Sequence, residues 1–180
     1  IAEVVEKVGV PVIVKEVGSG ISREVAALLA SVGVKGFDVA GAGGTSWARI
    51  ESIRSSRYGE VGKARLGEAF RDWGIPTAAS IMEVRSVTDG LVIASGGIRS
   101  GIDVAKSIAI GADAAALALP ALRALAGGGR EGLKSLIKSM ADELRLAMFL
   151  TGSRNLRDLR RARYVLTGEL AEWARSLGVV

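Results

Sequence analysis

An apolar run, a glycine-rich turn, a helical pattern and a second apolar run follow one another twice in this chain. That order constrains the fold more than any other feature of the sequence. In the later instance Leu91-Val92-Ile93-Ala94 leads into Ser95-Gly96-Gly97-Ile98-Arg99-Ser100-Gly101. A helical pattern then closes at Gly111-Ala112-Asp113, before a run ending on Leu119-Pro120. In the earlier instance Val12-Ile13-Val14 passes through Gly18-Ser19-Gly20-Ile21 to a helix, to Gly33, and to a strand containing Asp38-Val39-Ala40. A repeated strand–helix–strand unit is a mark of layered, parallel α/β architecture. The core such layers need is available: 49% of the residues are hydrophobic, few are aromatic, and Val, Ile, Leu and Ala suit strands buried under helices.

The pattern predicts strands over 12–15, 36–40, 91–95 and 114–119, each short, apolar and bounded by Gly, Pro or charge. It predicts a helix over 22–32, capped by Ser22, with Val25, Leu28, Leu29 and Val32 as its apolar stripe. A second helix over 101–110 turns Ile102, Ala105, Ile108 and Ala109 inward, with Ser100 and Asp103 at capping-box spacing. Residues 41–63 read as a long polar, glycine-rich connection, and 64–73 as a helix. The run 77–87 reads as helical, with 77–80 open to a short strand. A helix from near Pro120 ends at Gly127 to Gly129, and a long one runs from Glu131 to Leu150. Thr151-Gly152-Ser153 breaks it, 155–163 is basic and helical, and 168–177 is terminal. Four strands with crossover helices make half of a closed eight-stranded barrel, or else an open doubly wound sheet. The half barrel is preferred because the candidate ligand loops all follow the C-terminal ends of strands.

Whole function classes fall away on composition. The chain has no Cys, so it holds neither a disulfide nor a thiolate nucleophile, and no His, so no imidazole of its own moves a proton. No apolar run approaches the ~20 residues of a membrane span, so no membrane partner is expected, and an intracellular, cytoplasmic setting fits. The net charge of +5 gathers at Arg154, Arg157, Arg160, Arg161 and Arg163. With only Tyr164 among them, this reads as a solvated helix face and not as a nucleic-acid surface. Ile1 falls inside a helical pattern (Val4, Val5 and Val8 apolar), which reads as a piece of a longer chain.

Chemistry gathers at the strand ends. Lys15, closing the first strand, is either a cation set against a ligand anion or ring atom, or a side chain snorkelling from the rim. Gly41-Ala42-Gly43-Gly44-Thr45-Ser46-Trp47 offers close backbone approach, two hydroxyls and an indole that either covers a ligand or packs on its own loop. Gly96-Gly97-Ile98-Arg99 is an anion cradle with a guanidinium beside it. Ala118-Leu119-Pro120 opens the next helix with proline in its first turn, where proline is welcome. Two such loops on consecutive strands make a barrel phosphate site. Glu83 and Arg85 read as an ion pair or helix surface, and no metal-ligand spacing is present.

Taken together, Val14-Lys15-Glu16, Phe37-Asp38-Val39-Ala40-Gly41 with Gly43-Gly44-Thr45-Ser46-Trp47, and Trp73-Gly74-Ile75-Pro76-Thr77-Ala78-Ala79-Ser80 resemble the type 2 isopentenyl-diphosphate isomerase family, closest to its archaeal members. So do Ser95-Gly96-Gly97-Ile98-Arg99-Ser100-Gly101, Ala118-Leu119-Pro120 and Leu150-Thr151-Gly152-Ser153. The resemblance runs in order over nearly the whole chain. It implies the C-terminal half of a TIM (β/α)8 barrel, with 1–180 a single partial FMN-binding domain and the N-terminal half of the barrel outside it. The implied reaction interconverts isopentenyl and dimethylallyl diphosphate with reduced FMN, NADPH as reductant and Mg2+ on the diphosphate of a small-molecule substrate. The implied cofactor contacts are Lys15 at the flavin ring, the Ala40 backbone and Thr45, and Gly97, Ile98, Arg99, Ala118 and Leu119 at the phosphate. Trp47 walls the substrate pocket. The family often carries Ser or Thr where Ala40 stands, so only a backbone contact carries over there. The catalytic Gln and metal-binding Glu of the family belong to the missing half. These 180 residues alone are therefore expected to give no turnover and weak FMN binding.

Related FMN barrels of the hydroxy-acid oxidase kind would carry a base His in the loop where Gly41-Ala42-Gly43 stands, and IMP dehydrogenases a nucleophilic Cys. Another FMN-dependent oxidoreductase, or a non-catalytic phosphate-binding half barrel, are the competing readings. Open sheet edges favour a homo-oligomer.

Overall fold

Four short strands, β1 (Ile13–Lys15), β2 (Gly36–Asp38), β3 (Leu91–Ala94) and β4 (Ala114–Ala115), form one parallel sheet in the computed structural model, which describes residues 1–179. Their spatial order, β1-β2-β3-β4, is their order in the chain. Helix α1 (Ala2–Lys7) precedes the sheet, and α2 (Arg23–Ser31) joins β1 to β2. Helices α3 (Trp47–Arg57), α4 (Val61–Ala69) and α5 (Thr77–Arg85) lie between β2 and β3, and α6 (Gly101–Ala109) joins β3 to β4. Helices α7 (Leu119–Leu150), α8 (Leu156–Arg160) and α9 (Gly168–Leu177) follow.

This order decides between the two architectures left open by the sequence. Parallel crossovers are right-handed. When every crossover steps one strand in the same direction, all the helices land on one face. A doubly wound sheet needs a reversal of strand order, and none occurs. The sheet is half of a TIM barrel in its topology, with its helices outside.

The register fixes what each face carries. Ile13 pairs with Gly36, Val14 with Phe37 and Lys15 with Asp38; Gly36, Phe37 and Asp38 pair in turn with Leu91, Val92 and Ile93. Side chains alternate along a strand, so Phe37, Val39, Val92 and Ala94 share the outer face, and all are buried. They pack with Ala26 of α2, Ile81 and Val84 of α5, Ala105 and Ile108 of α6, Met140 of α7 and Leu159 of α8. Each large side chain so buried contributes about 1.5–3 kcal/mol. The opposite face carries Ile13, Lys15, Asp38, Leu91, Ile93 and Ser95, and no helix among the described residues covers its lower end: Ile13 is 46% exposed and Leu91 37%.

Several sequence expectations need correction. Residues 41–63 are not one long connection: beyond Ser46 the chain forms the α3–α4 hairpin. Its inward face is polar, which hides it from hydrophobic periodicity. Ser52 and Ser55 are the buried residues of α3, and the Ser52 hydroxyl donates to the Ala64 carbonyl across the hairpin at 2.8 Å. In α2 the residue pressed to the sheet is Ala26, while Val25 and Leu28 are exposed; a small residue lets the helix lie close. In α6 the buried face centres on Gly101, Ala105 and Ile108, because α7 passes close to Gly101, and Ile102 is left exposed. The 77–80 stretch is helix, the first turn of α5, whose residues 79–84 are all buried. β4 ends at Ala115, where the chain leaves the sheet for α7, and α8 is confined to Leu156–Arg160. The expected break at the glycines stands: α7 is interrupted at Gly129, which leaves helical geometry (φ 58°, ψ −151°). The Ser100–Asp103 capping box also forms as expected.

Candidate functional site

Three adjacent strands deliver three polar side chains to one place. Lys15 and Asp38 are directly paired across β1 and β2, and Ser95 lies two residues beyond Ile93, the β3 partner of Asp38. All three therefore point to the uncovered face. The Lys15 ammonium donates to Asp38 Oδ2 at 2.8 Å and to Ser95 Oγ at 3.4 Å, and the Ser95 hydroxyl donates to Asp38 Oδ1. Asp38 and Ser95 are buried; the Lys15 side chain is half exposed at the mouth.

Beside this cluster the loops after β2 and β3 interleave backbone to backbone. Gly41 N–H donates to the Ser95 carbonyl at 3.0 Å. A Cβ at Gly44 would stand 2.9 Å from the Gly97 nitrogen, so only glycine permits the approach. Gly96 has φ +99°, and a Cβ there would meet Gly41 backbone and, at 2.7 Å, the Thr77 hydroxyl. Thr77, opening α5, donates that hydroxyl to the Gly96 carbonyl at 2.6 Å. Arg99 closes the set: its guanidinium donates to the carbonyls of Gly97 (3.1 Å) and Gly43 (3.0 Å), bridging both loops from an exposed position.

Where an anion would sit follows from which amides are free. The first turn of α6 is already spoken for. Ser100 N–H donates to Asp103, Asp103 N–H to Ser100 Oγ, and Gly101 N–H to Glu143 Oε2 at 2.6 Å. Two carboxylates at that helix start also repel an anion. By contrast, no acceptor among the described residues takes the N–H of Gly97 or Ile98, or of Ala118 or Leu119. The last two open α7, which has Pro120 in its first turn and no side-chain cap. Free amides, a helix N-terminus and a guanidinium are the requirements of a phosphate group.

The other sequence-derived residues are placed as follows. Ala40 is buried and holds φ 35°, a left-handed conformation uncommon outside glycine. Its carbonyl accepts from Gly20 N–H at 3.2 Å, and no acceptor among the described residues takes its own N–H. Thr45 is exposed, with its carbonyl against Gly18, and Trp47 begins α3 with its ring edge near the same glycine. Ser46 anchors this loop, capping Arg49 N–H at 3.2 Å and donating to the Arg71 carbonyl at 2.5 Å. A groove of about 780 Å³ opens beside β1, sharing Lys15 with the cluster and lined by Val14, Ser19, Ile75, Trp73 and Trp173. Trp47 is not among its lining residues. Asp38, Ser95, Thr77 and Trp73 are members of the site that sequence reading left without a role. The signal for Asp38 was available, a carboxylate inside an apolar strand.

Glu83 and Arg85 do not pair with each other. Glu83 Oε2 accepts from Arg23 N–H at 2.9 Å at the start of α2, while Oε1 has no partner among the described residues. Burial pushes this carboxyl above its ordinary value, against the Arg23 N–H bond. Arg85 and Arg160 both hold Asp113, which also accepts from Val92 N–H at 2.9 Å. Burial works to raise Asp113, but the Val92 bond and the two guanidinium groups outweigh it and hold it low. No group of three or more acidic, His or Cys side chains among the described residues is suited to a metal, and no described helix is long and apolar enough to cross a membrane.

A family model described as FMN-dependent dehydrogenase matches residues 1–166. Curated proteins named isopentenyl-diphosphate delta-isomerase are similar along nearly the whole chain. That of Methanopyrus kandleri is 48% identical over 99% of the chain, and that of Metallosphaera sedula 51% identical over 98%. The chain spans about half the length of these relatives, 48% of each. Among solved structures, mandelate oxidase superposes with a TM-score of 0.67 at 26% identity, over 92% of this chain and 42% of that one.

Proposed function

The chain belongs to the FMN-dependent dehydrogenase family, and on that premise we propose that it forms the cofactor-holding part of an isomerase that interconverts isopentenyl and dimethylallyl diphosphate. The observation that carries this reading is the 48–51% identity along nearly all of the chain to proteins of that name, against 26% for mandelate oxidase. The sequence agrees with the choice: the loop after β2 is Gly41-Ala42-Gly43 and the chain has no His to act as the base of a hydroxy-acid oxidase.

The residues present fit FMN. The free amides of Gly97 and Ile98 with those of Ala118 and Leu119 would hold its phosphate, with Arg99 adding charge-assisted bonds. Lys15 would donate to the electron-rich edge of the ring, the Ala40 N–H and Thr45 would line the cofactor, and Trp47 would wall the substrate. Reduced FMN supplies acid–base capacity at its ring. The reaction itself shifts a double bond by one carbon: a proton is gained at the terminal methylene and another is lost from the allylic carbon, with no net oxidation. This chain's part is to orient the ring and exclude water from beside it. NADPH as reductant, Mg2+ on the substrate diphosphate and assembly as a homo-oligomer belong to the same proposal. The groups that move the substrate proton and hold the metal are assigned to the half of the relatives' length that this chain does not match.

A chimera tests it. Residues 1–180 replace the matching half of the Metallosphaera sedula relative, and isopentenyl diphosphate is supplied anaerobically with FMN, NADPH and Mg2+. Formation of dimethylallyl diphosphate is expected. A folded, flavin-loaded chimera that turns over a 2-hydroxy acid and not isopentenyl diphosphate would overturn the reading.

A further inference from the structure

We propose that Asp38, with Ser95 as its second arm, is a positioning residue that converts Lys15 from a mobile surface cation into an aimed hydrogen-bond donor. This rests on the reading above, that the site holds a flavin. The geometry is one-sided. The Asp38 side chain is 11% exposed and accepts on both oxygens, whereas that of Lys15 is 56% exposed. The carboxylate is the fixed element and the ammonium the guided one. A lysine carries four rotatable bonds and a large rotamer entropy, so a free Lys15 would spread over the rim. Pinned to Asp38 and Ser95, it has one N–H left for the open mouth of the sheet.

The pairing also settles what kind of work Lys15 does. Among the described residues Lys15 is the only cation in an ion pair with Asp38, and together the two carry no net charge. Lys15 is then a poor attractor of phosphate and a good directional donor to a ring atom. Attraction of the phosphate falls to Arg99, whose guanidinium donates to carbonyls and makes no ion pair among the described residues. One site is thus divided into a phosphate end that works by charge and a ring end that works by aim.

The division can be read with two ligands that differ only in the phosphate. FMN and riboflavin are titrated by flavin fluorescence into the chimera that carries residues 1–180, and inorganic phosphate by competition with FMN. Asp38→Asn is expected to weaken riboflavin about tenfold, the loss of one charge-assisted bond, and to leave inorganic phosphate bound at least as tightly, since the Lys15 charge is no longer cancelled. The double variant Lys15→Met/Asp38→Asn should bind riboflavin no more weakly than Lys15→Met alone, because Asp38 acts only through Lys15. Asp38→Glu should restore part of the loss, and Ser95→Ala should give a smaller loss of the same kind. Thermal unfolding of each variant separates misfolding from lost aim; where Asp38→Asn unfolds, Asp38→Glu and Ser95→Ala carry the test. Additive losses in the double variant, or equal losses for riboflavin and phosphate, overturn the positioning role while flavin binding stands. A folded chimera with the unaltered 1–180 sequence that takes up neither flavin overturns the flavin reading and the proposal together.

Discussion

The two faces of this sheet share one backbone and have opposite chemistry. The outer face, with Phe37, Val39, Val92 and Ala94, is dry, apolar and closed by helices. The inner face, with Ile13, Lys15, Asp38, Leu91 and Ser95, is uncovered at one end and polar at the other. Alternation along a strand is all that separates them. Stability and chemistry are thereby assigned to alternate residues, so a change at one position can remove either without the other.

That separation is open to attack, starting where most is at stake. Phe37→Ala on the outer face should cost about 3–5 kcal/mol, read by urea unfolding. Ile13→Ala, one strand away but inward, should cost under about 1 kcal/mol. Equal costs would break the contrast. Gly96→Ala sits between the faces. Its φ of +99° and the contact with Gly41 should cost about 1–3 kcal/mol and lower FMN affinity at least about tenfold, measured by fluorescence titration. Unchanged FMN affinity would detach the loop from the site.

The remaining effects depend on pH, at two carboxylates on the helix-covered side of the molecule. Asp113 is held low, so its contribution is full above the ordinary aspartate value of about 3.8 and is lost as pH falls through its depressed value. Asp113→Asn should flatten the acid limb of a stability–pH curve and cost about 1–3 kcal/mol at neutral pH. Glu83 is raised, so the opposite holds. Its contribution is full below about 4.5 and is lost as pH rises through the raised value. Glu83→Gln keeps an acceptor for Arg23 N–H and should remove that decline, with a stability change at neutral pH within about 1 kcal/mol. A Glu83→Gln curve that still falls above pH 4.5 would place the titrating group elsewhere.

The sequence was legible where pattern is local. The four strands, the Ser22 and Ser100 caps, the break at Gly129 and helix α9 all follow from nearest neighbours in the chain. Helix α3 escaped because serines, not aliphatics, fill its interface with α4, whereas most of α4 falls within the helix expected over 64–73. In the site, Lys15 and the Gly96–Arg99 turn announce themselves by type and place. Asp38 does so in part, as a carboxylate inside an apolar strand, but its meeting with Lys15 and Ser95 depends on a strand register that only the assembled sheet reveals. Thr77 is silent for a like reason: it reads as an ordinary first-turn residue until two glycine loops from elsewhere close around it.

The interleaving of Gly41–Gly44 with Gly96–Gly97 bears on how such a protein can be recombined. Strand–helix units of a barrel look exchangeable, each with its own loop. Here the second and third units are dovetailed, main chain against main chain, and tied by Arg99 and Thr77. They form one heritable block. Crossovers with a relative placed between β2 and α6 should fail.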